Sequence, residues 1–300
     1  MTLAVVHHPA FAPTLPAGHR FPMGKFARLA EVLVEDGFVA PGGFHQPALA
    51  PRSWLVLAHD PAYVDAVLDA SVPPRIAREI GFPMDAAIAR RARAASAATV
   101  LTASLALEHG IACNTAGGSH HARAEQGAGF CVFNDVAVAA RVHLADSLAG
   151  PVLVVDCDVH QGDGTASIFR DDPSVFTFSI HAEKNYPVRK VASDHDVPLP
   201  DGIGDDAYVD RLAAELVPVL DRVRPHLVFY NAGVDPHAED RLGRLSLSDR
   251  GLEARDRLVI AEVRRRGIPV ACVIGGGYMD DIDRLARRHA ILHRVAADFA

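Results

Sequence analysis

Four short stretches of the chain each close an apolar run with residues able to hold or assist a metal ion: GGSHH at 117–121, DCDVHQGDG at 156–164, NAGVD at 231–235 and GGGY at 275–278. The second carries the sharpest arithmetic. VLVVDCD at 152–158 reads as a buried strand that runs out of apolar residues at Asp156. Side chains alternate faces along extended chain, so Asp156, Asp158 and His160 project to one side. A carboxylate and an imidazole two residues apart suit a borderline divalent ion such as zinc. A third protein ligand would leave one coordination position open for water. Asp235 is the candidate, because LVFYNAG at 227–233 is another apolar strand with a glycine turn and an acid just past its end. Taken singly, loop aspartates are usually helix caps or turn residues. Taken together, with His160 between two acids and the glycine-flanked Asp163, the cluster points to a metal site used for hydrolysis.

Residues this distant in sequence can meet only if the elements carrying them end at one edge. The chain alternates strands and helices, the pattern of a mostly parallel sheet covered on both faces. Strands are predicted at 3–6, 111–114, 152–156, 175–180, 226–231 and 269–274. Helices are predicted at 23–36, from Asp60-Pro61, at 85–109, 135–146, 206–223 with an irregularity at Pro218, 249–266 and near 280–298. All four motif stretches fall just after a strand, and open α/β sheets bind ligands outside the carboxyl ends of their strands.

Composition is consistent with this frame. Three hundred residues with 49% hydrophobic content and no Ser/Gly-rich or charge-run linker predict one domain over 1–300. A net charge of −7 and a pI near 6.1 argue against nucleic acid or anionic lipid as a partner. The four cysteines, Cys113, Cys131, Cys157 and Cys272, are scattered without paired zinc-type spacing and read as reduced thiols of a cytoplasmic protein. MTLAVVHHP has no basic region before its short apolar run and reads as a first strand instead of a signal peptide, with His7 and His8 as an ordinary surface pair. The longest run free of both charged residues and histidine, 94–107, is too short to span a bilayer.

The motifs resemble those of the zinc-dependent histone deacetylases and their bacterial relatives, the acetylpolyamine amidohydrolases and acetoin-utilisation proteins. GGSHHA, GAGFCVFND at 127–135, DCDVHQGDG, NAGVDP and GGGY stand in that family's order. The stretch 231–256 is most similar to the class IV branch, that of the small vertebrate deacetylase favouring long fatty acyl groups. The resemblance implies a three-layer arginase/deacetylase fold, and one zinc per chain held by Asp158, His160 and Asp235. It makes His120 and His121 the imidazoles beside the attacking water, with Asp156 holding His120 and Asp163 holding His121, and makes Tyr278 the hydroxyl donor opposite the metal. Gly129 and Phe130 would line the acyl channel with Tyr186 facing them, although core packing explains Phe130, Tyr186 and Cys131 equally well. A structural potassium ion would lie among Asp156, Asp158, His160, Ser179 and Ile180.

The implied reaction removes an acyl group from Nε-acyl-lysine of a protein or peptide. His121 is expected to shuttle the proton, His120 to orient and polarise, and Tyr278 to donate to the tetrahedral oxyanion. Three alternatives stay open: hydrolysis of acetylpolyamines or other small N-acyl amines, a two-manganese ureohydrolase, and an acyl-binding protein without catalysis. The ureohydrolase wants further carboxylates in place of His160 and around Asp235, and VDPHAED supplies too few. Two departures from the family pattern stand out. IGFPM at 80–84 has no carboxylate where many members carry an aspartate that grips substrate backbone, and Ser119 replaces a larger residue before the histidine pair.

Overall fold

Runs such as VLVVD, LVFYN and VACV are apolar on both faces, which suits strands covered by helices on either side and no others. The computed structural model describes residues 3–146 and 149–300. Among them are seven strands: β1 (Ala4–Val6), β2 (Ile111–Asn114), β3 (Val152–Asp156), β4 (Val175–Ala182), β5 (His195–Leu199), β6 (Leu227–Asn231) and β7 (Val270–Val273). They form one sheet in the order β1-β2-β7-β6-β3-β4-β5, and every pairing is parallel. Helices flank the sheet in a three-layer α/β arrangement. Their apolar side chains join those of the strands in one continuous core.

Local chemistry sets the helix ends. The long helix Ala86–His109 starts where the Asp85 carboxylate accepts from the Ala87 and Ile88 amides, and stops at Gly110 in the left-handed region. Asp60 caps Pro61–Leu68 in the same way. Pro218 lies inside the helix Asp205–Val223, which continues through it.

Several details depart from the sequence reading. β4 extends to Ala182, and β5 escaped notice because HDVPL carries charge and a proline, a composition tolerated only on an edge strand. The short helices Arg52–Leu55, Pro74–Ile80 and Asp163–Phe169 are too brief to show a period. His7 and His8 are no surface pair: His8 is buried with Nδ1 accepting from Ala10 N at 2.9 Å, and half-buried His7 places Nδ1 2.8 Å from Thr115 Oγ1. All four cysteines are free and buried, and Cys113 stands beside Cys272 across β2 and β7. No helix of the described residues is long and apolar enough to cross a membrane.

Candidate metal centre and active site

The four motif stretches follow β2, β3, β6 and β7, and in space these are four consecutive central strands, β2-β7-β6-β3. Their loops therefore converge on one crevice at the carboxyl edge. Asp156 and Asn231, the last residues of β3 and β6, are register partners, so the two ligand-bearing loops leave the sheet side by side.

Asp158, His160 and Asp235 offer ligand atoms that all lie within 4.8 Å of one another, and all three residues are buried. Main-chain amides aim the carboxylates: Gly276 N donates to Asp158 Oδ2 at 2.7 Å, and Val159 N to Asp235 Oδ1 at 2.9 Å. Asp235 Oδ2 has no hydrogen-bond partner; it lies 3.2 Å from His160 Nδ1 but outside hydrogen-bonding geometry. Burial, reinforced by the neighbouring Asp158, pushes the Asp235 carboxyl up to about 7. A buried orphan oxygen beside a second carboxylate is the environment a divalent cation would relieve, and two acids with one imidazole suit zinc. Gly276 has to be glycine here, because a Cβ would stand 2.0 Å from Asp235 Oδ2.

Two imidazole–carboxylate pairs flank this cluster. His120 Nδ1 lies 2.7 Å from Asp156 Oδ2, and His121 Nδ1 lies 2.7 Å from Asp163 Oδ1. An ionised carboxylate only accepts, so each ring carries its proton on Nδ1 and keeps Nε2 for other work. Their surroundings differ. Burial opposes charge on His120, but Asp156 and Asp158 outweigh it and raise its pKa to about 9. For His121, burial and then the His120 charge win over Asp163 and lower it to about 4. Asp163 is additionally shared with Arg123, whose Nη2 donates to Oδ2 at 2.7 Å.

Tyr278 is buried, and burial followed by the Asp158 and Asp235 charges raises its pKa well above the usual phenol value, so it stays a donor. Its loop is held from two sides: Tyr278 N donates to Asp240 Oδ2 at 2.6 Å, and buried Lys25 Nζ donates to the carbonyls of Gly275 and Gly277 at 3.3 Å. Phe130 occupies the left-handed region at φ 66°, a strained setting for a bulky residue. Gly129 lies so close that a Cβ would meet His121 Cδ2 at 2.7 Å and Tyr186 Cε1 at 3.2 Å. The Tyr186 ring meets His121 edge-on at 4.8 Å and is 41% exposed, so it stands at the mouth and not in the core.

The mouth is a cavity of about 260 Å³ lined by Gly129, Phe130, Tyr186, His121, His160, Tyr278, Arg20, Glu79, Asn185 and Leu242. The stretch 80–84 supplies no carboxylate, but Glu79, one residue before it, lines the mouth and pairs with Arg75 (2.7 Å) and Gln126. Behind His120, His121 and Tyr278 lies a second, much smaller space of about 30 Å³, walled by Phe21, Phe26, Phe130, Cys131, Lys25 and Arg91 among others.

Of the residues named for potassium, Ser179 stands beside Asp156 across β3 and β4, with Oγ 3.0 Å from His181 Nδ1. Lys25, Asp240, Asn231 and Asp135 were given no role from sequence. Asp135 accepts from the Gly118 and Ser119 amides (3.1 and 2.8 Å), and Asn231 donates to Asp156 Oδ1 (2.9 Å). Both lie in quoted motifs, which was the only available signal.

The family described as the histone deacetylase domain matches residues 19–293. An uncharacterized protein of Picosynechococcus is 51% identical over 298 residues, 99% of each chain. Histone deacetylase 2 of Arabidopsis thaliana is 30% identical over 293 residues, 92% of this chain and 76% of its own. The crystal structure of the HDA15 HD domain shares the fold with a TM-score of 0.84 at 22% identity, covering 99% of this chain and 89% of that one.

Proposed function

The chain belongs to the histone deacetylase family, and on that premise we propose that it is a zinc-dependent deacylase that removes a short acyl group from Nε-acyl-lysine in a protein or peptide. The observation that carries this reading is the meeting of Asp158, His160 and Asp235 beside two histidines that each own a carboxylate. Bound zinc would lower the pKa of a water and polarise the scissile carbonyl.

The chain's own groups supply the rest. His121, neutral and fixed by Asp163, takes a proton from the attacking water as that water adds to the carbonyl carbon. It then delivers a proton to the leaving amine as the C–N bond breaks. His120, held charged by Asp156, orients the water and stabilises negative charge. The Tyr278 hydroxyl donates to the developing oxyanion. Gly129, Phe130 and Tyr186 form the walls along which the lysine stem passes. A structural potassium ion among Asp156, Asp158, His160, Ser179 and Ile180 belongs to the same reading, supported by the adjacency of the β3 and β4 ends.

The mouth favours a lysine over a polyamine. Arg20 stands 5.1 Å over the Phe130 ring, and among the described residues the one carboxylate lining the cavity is already paired with Arg75, so a polycation meets no excess of acid there. Turnover of a lysine-peptide panel carrying acetyl to myristoyl groups, run beside acetylated polyamines, tests the reading together with zinc analysis of the purified chain. Faster turnover of the polyamines, or two equivalents of manganese in the active protein, would overturn it.

A further inference from the structure

Arg255 lies on the helix Asp249–Arg265 and is fully buried, an unusual place for a guanidinium. Its Nε donates to Asp256 Oδ1 at 2.9 Å, and Nη2 lies 2.8 Å from the same oxygen. That oxygen also accepts from Tyr230 Oη at 2.6 Å. The remaining nitrogen does something else: Nη1 donates to Gly233 O at 2.5 Å and to Cys157 O at 3.3 Å. Cys157 sits immediately before Asp158, and Gly233 two residues before Asp235. A single nitrogen thus spans the two main-chain loops that between them carry all three candidate metal ligands.

Stability alone is a poor account of this pair. A buried ion pair is commonly no better for stability than apolar residues of the same shape. A planar guanidinium anchored on Asp256, by contrast, fixes the direction of Nη1, and arginine keeps its charge at all accessible pH. We propose that Arg255 is a positioning residue that sets the separation of the Asp158 and Asp235 loops by bridging the carbonyls of Cys157 and Gly233, and so tunes metal affinity from outside the site. The proposal rests on the zinc reading given above.

Zinc affinity, measured by competition with a chromophoric chelator using Zn²⁺ alone, is the readout that a purely structural role would leave unmoved. Two variants are needed. Arg255→Lys keeps the charge but has one nitrogen for three acceptors. Arg255→Gln with Asp256→Asn removes both charges together and leaves no unpaired buried ion. Both are expected to bind zinc at least ~10-fold more weakly than wild type, within the 10–100-fold range for groups that hold ligands in place, with kcat reduced and KM little changed. Folded variants with zinc affinity within twofold of wild type, whatever their melting temperature, would overturn the proposal. If neither variant folds, the wild-type chain decides: the Arg255 Nη1–H resonances, whose protons make the bridge, should shift on zinc addition, and unchanged resonances would refute the bridge. A wild type that binds no zinc would remove the zinc reading and this proposal together, whereas tight zinc binding by wild type and variants alike removes only the proposal.

Discussion

Acyl length is the property on which the geometry makes its sharpest demand. The space behind the two histidines and Tyr278 is about 30 Å³, against the ~10–15 Å³ that one water needs on the same measure, so it takes an acetyl methyl and little more. Acetyl therefore fills it. Butyryl adds two methylenes; were there room, each would contribute ~0.8 kcal/mol and kcat/KM would rise about 15-fold. Without room, forcing them against Phe21, Phe26 and Phe130 costs ~1–3 kcal/mol, the usual scale of overpacking, and kcat/KM should fall about 5- to 150-fold. The assay is kcat/KM on one peptide carrying acetyl-, butyryl-, octanoyl- or myristoyl-lysine. Phe21→Leu shortens one wall and should restore butyryl relative to acetyl by several-fold. Turnover of myristoyl-lysine at or above the acetyl rate would refute the reasoning, and would show that the aromatic wall yields to substrate.

Asp235→Ala should abolish tight zinc binding and reduce kcat beyond detection, checked by metal analysis after dialysis; activity restored by added zinc would show that Asp235 is not a ligand. His121→Ala should lower kcat by at least ~10²-fold, with zinc content unchanged. Tyr278→Phe keeps the ring and deletes the donor, so kcat should drop roughly 10²–10³-fold while KM moves little; near wild-type kcat would reduce this tyrosine to packing. His59 gives a pH test away from the metal: burial lowers its pKa to about 4, Nδ1 lies 2.9 Å from Arg123 O, and Nε2 accepts from Asn134 N at 2.9 Å. Its folded pKa is below the unfolded value, so the unfolded chain binds the proton first and stability falls as pH drops below ~6.5, by about 2 kcal/mol at pH 5. His7, His181 and His293, also lowered to about 4 by burial, add losses of the same sign. Thermal melts from pH 7 to 5 should therefore show a steeper total slope, and His59→Gln should remove only the His59 share of about 2 kcal/mol.

The parts of the site legible in sequence were those written as apolar runs ending in acids or glycines. Asp158, His160 and Asp235 could be paired from strand alternation and turn position alone, and they do come together. The strand list was legible where strands are buried on both faces, and failed at β5, where an edge position permits Pro198 and charged neighbours. The supporting cations were illegible for a different reason. Lys25 opens an amphipathic helix and Arg255 sits in a segment rich in arginine and acid, so both look like solvent-facing charge. Their acceptors are main-chain carbonyls, which no residue type announces. Glu79 carries no sequence signal either, because an acid four residues after Arg75 on the helix Pro74–Ile80 reads as an ordinary solvent-facing ion pair, although it lines the mouth.

The strand order also governs when this protein can become competent during synthesis. β7, the last strand made, lies between β2 and β6 and is the sole link between the pair β1-β2 and the block β6-β3-β4-β5. Until residues 270–273 have left the ribosome, the nascent chain holds two unjoined half-sheets with bare edges. Tyr278 and the Gly276 amide that aims Asp158 emerge only after that strand. The three ligands follow β3 and β6, which pair within one half-sheet, but the histidine pair after β2 and the Tyr278 loop can join them only once β7 is in place. The complete site therefore closes late, and the waiting half-sheets are the species most exposed to misassociation.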